Sequence, residues 1–294
     1  MNQINYRVIG KTQGFYEVID NLGNIYTTKL KGTLKRENSK LNCVIGDKVE
    51  ISIKDMLITN VLERKNLLLR PLVSNIDYVA IMTSIINPTF DINAFQKKLL
   101  WVDKQKIKTI LIINKIDLVN DIERKDFIEN LKSKIKHIKI FEISVEKNIG
   151  ITELKEFLKE KIIVLSGASG VGKSSLVNNI LENETLEVGN ISRKTKKGKN
   201  TTIITKYFEK NGIKIFDTPG YSSIALPEYD EIREIMTWIP DFENYLYQCK
   251  FKDCLHLIEP DCNIIKEVEK GNINKYRYEF YKKLIEGENN NERN

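Results

Sequence analysis

The stretches NKID, residues 114–117, and GASGVGKSS, residues 167–175, come in an order that decides the fold. The second fits G-x-x-x-x-G-K-S from Gly167 to Ser174, with the apolar run KIIVLS before it and the segment KSSLVNNIL after it. Strand, glycine loop, helix is the context in which this pattern binds phosphate. Glycines let backbone N–H groups close around phosphate oxygens at a helix N-terminus, where the peptide dipoles also favour an anion. Gly167, Ala168, Ser169, Gly170, Val171, Gly172, Lys173, Ser174 and Ser175 are therefore candidate phosphate contacts. Lys173 is expected to reach the β- and γ-phosphates, and the Ser174 hydroxyl to ligate Mg²⁺.

NKID supplies what a phosphate loop lacks, a reader for the base. The Asp117 carboxylate can accept from both N1–H and the exocyclic amine of guanine, a donor pair that adenine does not offer, and a site built on buried hydrogen bonds discriminates strongly. Asn114 would brace the loop, the Lys115 stem would lie along the base, and Ile116 completes the motif. Taken alone, NKxD also occurs as an ordinary polar strand end. Here it follows the apolar run KTILII, and SVEKNIG after the next apolar run brings Ser144 and a backbone N–H from Val145. An ATP-using enzyme would leave NKID without a role. DTPG, residues 217–220, follows the run IKIF; Asp217 is suited to hold Mg²⁺ through water and the Gly220 N–H to touch the γ-phosphate. In the intervening GKNTT, Thr201 or Thr202 could ligate Mg²⁺ while the γ-phosphate is present, so these two stretches are the expected switches.

The chain order NKID, SV, GASGVGKSS, TT, DTPG is a cyclic shift of the usual GTPase order. TELKEFLKEK, a helical segment, runs almost directly into KIIVLS, so the two ends of an ordinary domain are joined without a linker. A parallel sheet tolerates this, because its site lies at the carboxyl ends of neighbouring strands whatever their order in the chain. The predicted elements agree. YVAIMTSI, KTILIIN, IKIFEIS and KIIVLSG read as buried parallel strands, spaced by the amphipathic INAFQKKLLWVDKQ, ERKDFIENLKSK and TELKEFLKEK. TTIITKYFEKNGIKIFDTPG adds a hairpin around Asn211-Gly212.

Upstream, YRVIGK, FYEVID, NIYTTKL, DKVEISI and MLITNVL are short β-prone runs separated by turn residues, the pattern of a small barrel of the oligonucleotide-binding type. Residues 1–70 hold twelve bases against seven acids, most of the chain's net +7. A basic module suits a polyanion such as RNA, although a solvated basic surface has the same composition. Downstream of Leu226 the chain turns helical and aromatic. Cys249-x4-Cys254-x-His256-x5-Cys262 supplies three thiolates and one imidazole, a closed tetrahedral set that reads as one structural zinc site. Cys43 reads as a small buried residue, His137 as a surface helix residue and the tail GENNNERN as disordered. The resulting fold class is multidomain: an OB-fold barrel over 1–70, a permuted α/β P-loop domain over 71–226 and a mostly helical zinc-binding domain over 227–294.

Over its whole length the chain resembles the RsgA (YjeQ) family of circularly permuted GTPases. The resemblance implies a cytoplasmic GTPase that binds ribosomal RNA late in small-subunit assembly, checks the decoding region and leaves after hydrolysis. It also assigns the Cys₃His set to zinc, residue for residue. The family's switch usually reads as a histidine followed by threonines, where this chain has Asn200, Thr201, Thr202 and Ile203. If that histidine positions the attacking water in relatives, Asn200 or another group does so here. The glutamine that follows DxxG in Ras-type proteins is replaced by Tyr221, whose ring cannot orient water, so turnover alone should be slow. SRKTKKGK carries five bases and no acid, reading either as a solvated loop or as an RNA contact, with Arg193 the one candidate for an arginine finger. A rival reading is a GTP-gated RNA-binding factor in which hydrolysis is incidental.

No apolar run approaches the roughly 20 residues of a membrane span. MNQINYRVIG lacks the basic-then-apolar pattern of a secretion signal. A cytoplasmic monomer is expected.

Overall fold

The computed structural model describes residues 6–34, 41–182, 205–217, 227 and 229–291, with side chains as far as 287. Five strands, β1 (Tyr6–Thr12), β2 (Phe15–Ile19), β3 (Ile25–Leu30), β4 (Lys48–Ser52) and β5 (Leu57–Val61), close into a barrel in the order β1-β2-β3-β5-β4. Each coincides with one of the five β-prone runs. Their inward residues, among them Val8, Val18, Val49 and Ile58, form the barrel's own core together with the fully buried Cys43 from the segment before β4. Beyond β5 the chain forms a hairpin that the sequence did not suggest, β6 (Leu67–Leu69) with β7 (Leu72–Ser74).

Asp47, fully buried, joins the barrel to this hairpin. Its carboxylate accepts from Arg64 Nε at 2.7 Å and Nη2 at 2.8 Å, from Ser74 Oγ at 2.6 Å and from Val44 N at 2.8 Å. A buried charge is tolerable only when it is paired and hydrogen-bonded this fully.

The central domain is a six-stranded sheet built from β8 (Tyr78–Ser84), β9 (Lys108–Asn114), β10 (Lys139–Glu142), β11 (Ile162–Gly167), β12 (Lys206–Lys210) and β13 (Ile213–Asp217), in the order β10-β9-β8-β11-β13-β12. All pairs are parallel except the β12–β13 hairpin, whose turn residues Asn211 and Gly212 both have positive φ, as an Asn-Gly hairpin turn requires. Counting from β11, which feeds the phosphate loop, and passing through the chain's ends, the order reads 6-5-4-1-3-2. It is a doubly wound sheet cut open at a new place. Helices α1 (Ile92–Asp103) and α2 (Asp121–Lys134) cover one face, α3 (Ile151–Leu158) and α4 (Lys173–Ile180) the other. Asp91 caps α1 by accepting from the N–H groups of Asn93 and Ala94, and Asn120 with Glu123 forms a capping box on α2. With helices on both faces, β11 is buried at all six positions, which explains its unbroken apolar run.

The C-terminal unit contains α5 (Glu234–Thr237), α6 (Asn263–Glu269) and α7 (Lys275–Asn291) around Phe242, Ile264, Tyr281 and Ile285. Two expectations are corrected here. His137 is exposed but lies beyond the end of α2, at φ 69° in the turn before β10, because the helix stops at Lys134 and the chain must reverse. The tail is helical through Asn291, where α7 carries GENNN onward from its packed first turns.

Candidate nucleotide site and cysteine cluster

The carboxyl ends of β8, β9, β11 and β13 meet at one edge of the sheet and bring the separated motifs together. Gly167 leaves β11 hard against the Met82 carbonyl of β8, where a Cβ would collide with the backbone. Gly172, at φ 98°, has no room for a Cβ because the Asn114 amide occupies that space. Both glycines are thus required by close approach as well as by the loop's shape.

Asn114 is the brace that joins three loops. Its Nδ2 donates to the Val171 carbonyl at 2.9 Å and its Oδ1 accepts from Val145 N at 3.1 Å, tying NKID to the phosphate loop and to the SVEKNIG loop. The second bond engages the Val145 N–H with the Asn114 side chain and so ties the SVEKNIG loop to the base-reading loop. Ser144, fully buried, accepts from Lys147 N at 3.0 Å and holds the same loop. Lys115 reaches back to the Gly170 carbonyl at 2.7 Å and the Asn87 carbonyl at 2.6 Å. Asn87 and Met82 were not singled out in the sequence, since both act through backbone carbonyls that any residue carries. Ile116 is buried beneath the loop, and Asp117 keeps a carboxylate oxygen buried with no hydrogen-bond partner among the described residues. An uncompensated buried acceptor at this position fits the two N–H donors of guanine.

At the phosphate end, Lys173 opens α4 and its ammonium donates to the Gly167 carbonyl at 2.8 Å and the Ala168 carbonyl at 2.9 Å. Burial pulls its pKa below the ordinary lysine value, partly offset by the charge of Asp217, so the phosphate-loop lysine and the first residue of DTPG share one field. Ser174 and Ser175 lie in the first turn of α4, and Ala168, Ser169 and Gly170 complete the loop before it. Arg193, Asn200, Thr201, Thr202, Gly220 and Tyr221 lie outside the described residues.

The second constellation is Cys249, Cys254, His256 and Cys262, whose donor atoms all lie within 4.8 Å of one another. His256 turns Nδ1 inward, 3.5 Å from Cys249 Sγ and 3.3 Å from the sulfurs of Cys254 and Cys262, while Cys249 and Cys262 stand 3.9 Å apart. This set could hold one metal ion. Glu259 was missed in the sequence. Burial pushes its pKa up, but backbone N–H donors outweigh that and hold it below the usual carboxylate range: Leu255 and Leu257 at 2.7 Å, Ile258 at 3.1 Å. The loop carrying two of the ligands is thereby folded around Glu259. Tyr278 and Tyr281 of α7 lock it to the helix through the carbonyls of His256 and Leu255.

Phosphate loop, guanine-type base reader and the DTPG aspartate, gathered on a doubly wound sheet in shifted order, define a circularly permuted GTPase. A family model described as the RsgA GTPase matches residues 61–227, and one described as the RsgA N-terminal domain matches residues 7–57. The chain belongs to the RsgA family of GTPases. A small ribosomal subunit biogenesis GTPase RsgA from Fusobacterium nucleatum is 44% identical over 282 residues, covering 95% of this chain and 98% of the relative. One from Clostridium botulinum is 38% identical over 277 residues, 93% of each. Among solved structures, YjeQ from Thermotoga maritima superposes with a TM-score of 0.77 at 32% identity over 97% of this chain and 98% of that one. YloQ, described as a circularly permuted GTPase, gives 0.74 at 27% identity over 97% and 95%. No helix among the described residues is long and apolar enough to cross a membrane.

Proposed function

We propose that this GTPase binds ribosomal RNA on the small ribosomal subunit, assists its late maturation and dissociates when GTP is hydrolysed. It would act as a cytoplasmic monomer of three units, 1–70, 71–226 and 227–294. The observation that carries the nucleotide half of this reading is the buried, unpartnered Asp117 oxygen on a loop that Asn114 braces against the phosphate loop. The ribosomal half rests on the relatives' description and on the basic barrel.

Mg²⁺ bound with GTP would neutralise phosphate charge, and Ser174, Asp217 and Thr201 or Thr202 are the residues proposed to hold it. Lys173 would bind the β- and γ-phosphates, and the Gly220 N–H would sense the γ-phosphate. With Tyr221 after DTPG and Asn200 before the threonines, no side chain of the motifs orients water well. Intrinsic turnover should therefore be slow and rise on the small subunit.

The C-terminal cluster is proposed to hold one structural zinc. Zn–S bonds of about 2.3 Å and a Zn–N bond of about 2.0–2.1 Å imply tetrahedral edges of roughly 3.5 Å between N and S and roughly 3.8 Å between sulfurs. The 3.3–3.5 Å and 3.9 Å separations around His256 and Cys249 lie close to these.

The test of the site is Asp117→Asn. Its amide can donate to the carbonyl of xanthine but no longer accepts twice from guanine, so binding should shift from guanosine to xanthosine nucleotides in a competition titration. Unchanged GTP preference would remove the base-reading role of NKID.

A further inference from the structure

The Lys-rich stretch LKSKIKHIKI, residues 131–140, is absorbed by neither the nucleotide motifs nor the cysteine cluster. It carries α2 to its end at Lys134 and turns the chain into β10 at Lys139. A helix that connects two parallel strands runs back against them, so this end of α2 lies at the amino ends of β9 and β10, away from the nucleotide loops. There the C-terminal unit meets it, through Asn274 Nδ2 donating to the Ser133 carbonyl at 3.1 Å. Around that bond, the end of α2 and the turn between α6 and α7 enclose an open cleft of about 420 Å³. That is within the roughly 300–1,000 Å³ of sites that hold small ligands.

Val268, Ile273 and the Tyr276 ring give the cleft an apolar side, while Lys134, Lys136 and Lys275 line it with cations against Glu279, the one acid among its described lining residues. The Lys134 ammonium lies 5.1 Å from the centre of the Tyr276 ring, so charge and aromatic surface stand within one nucleotide's reach. Lys134 has a local reason to be basic, because the dipole favours a cation in the last turn of a helix. Lys136 and Lys275 have no such reason. Lys136 lies past the end of α2, and Lys275 opens α7, where the dipole opposes a cation and no acid stands in the first turn. Both residues are exposed, and neither ammonium has an ion pair or hydrogen bond among the described residues. The first N–H groups of α7 are already engaged, since Asn274 Oδ1 accepts from Tyr276 N at 2.9 Å and Arg277 N at 3.3 Å. Recognition of an anion here falls to the lysines.

We propose that this cleft docks a single-stranded segment of RNA, with its phosphates on Lys136 and Lys275 and one unpaired base against Tyr276. The proposal rests on the RNA-binding function put forward above and gives it a second surface, apart from the barrel. Cations that track a backbone beside an aromatic ring that takes any base are the means by which single strands are held without sequence preference. A duplex keeps its bases stacked inside, and an acidic peptide offers no flat face to the ring. A strand held in the cleft touches α2 of the central domain and α6–α7 of the C-terminal unit together.

The experiment titrates the full-length protein with a fluorescently labelled single-stranded uridine oligoribonucleotide and, separately, with purified small subunits. The double variant Lys136→Glu, Lys275→Glu should weaken oligoribonucleotide binding on the order of tenfold or more at about 0.1 M salt, and flatten the slope of log affinity against log salt by about 0.7 per lost phosphate contact. Glu279→Gln should bind more tightly than the parent, a gain that a merely structural role would not produce. Tyr276→Leu should lose about fivefold or more, whereas Tyr276→Phe, which keeps the ring, should not. GTP affinity and thermal unfolding should stay at parental values in the lysine and Glu279 variants, whose altered side chains are exposed and lie away from the nucleotide loops. Parental oligoribonucleotide affinity in the double variant, or equal loss in the Leu and Phe variants, overturns the proposal. So does a double variant that binds the oligoribonucleotide normally but small subunits weakly, because the cleft would then dock a ribosomal protein. If the parent itself binds neither oligoribonucleotide nor subunits, the RNA-binding function falls and this inference with it; if the parent binds and the variants match it, this inference falls alone.

Discussion

Asn114 shows how one side chain can set a site's geometry. Its amide spans β9, the phosphate loop and the loop after β10, three segments far apart in the chain. Its bracing role was legible, because an asparagine opening NKxD after an apolar strand has few other uses. The engagement of Val145 was not, because whether a backbone N–H faces a ligand or a neighbouring amide depends on a separation of a few ångströms that no motif encodes. The cysteine cluster was legible for the opposite reason: four ligands within fourteen residues leave little for tertiary structure to decide. Glu259 escaped because its partners are backbone amides. At this scale the prediction is metal loss. In a closed site the energy of binding is folding energy, so Cys254→Ser should copurify with far less than one zinc per chain, and chelation should unfold the C-terminal unit. Elemental analysis with circular dichroism checks this; full thermal stability after complete metal removal would count against it.

Among the elements, α1 joins the central sheet to the C-terminal unit. One flank carries Asp103, which accepts from Arg277 Nη2 at 2.6 Å with both side chains nearly buried, and Gln96, which accepts from Arg277 Nη1 at 2.8 Å. Lys104 adds a cation 4.1 Å from the Trp238 ring. Arg277→Ala would leave the Asp103 charge buried and unpaired, a change that costs about 3–5 kcal/mol. Chemical denaturation should show that loss, with GTP affinity nearly preserved because the anchor faces away from the nucleotide. The element pattern itself was legible wherever the local signal was strong enough: the barrel strands from β-prone runs between turn residues, the central strands from unbroken apolar runs, α1 and α2 from amphipathic spacing. The β6–β7 hairpin was not, since strands of three residues, LLL and LVS, are too short to show a period. Nor was the helicity of the tail, which α7 acquires by extension from a packed first half.

The permutation acts on the whole molecule. In an unpermuted GTPase the chain after DxxG continues into the rest of the sheet, but here DTPGYSSIALPEYDEIREIM leads from β13 toward the C-terminal unit. That unit is also held to the core from behind, by Arg277 and Asn274 against α1 and α2. Two connections of different kinds therefore meet in it, one covalent from the DTPG segment and one packed. If the γ-phosphate biases the first while the second stays in place, hydrolysis would change how the C-terminal unit presents itself to the RNA surface that the barrel is proposed to engage. A ligand shifts such an equilibrium only through its different affinities for the two states, so the small subunit should bind the GTP-analogue form more tightly than the GDP form, by roughly 5- to 150-fold if coupling is of ordinary size. Reciprocity then requires subunits to tighten GTP-analogue binding relative to GDP by the same factor. Inserting several glycines between Tyr221 and Pro227 should weaken that coupling while leaving nucleotide affinity of the isolated protein nearly intact. Sedimentation with purified subunits in each nucleotide state measures the ratio. An equal affinity in both states, or a ratio undiminished by the glycines, would mean that the shifted order carries no mechanical link between hydrolysis and release.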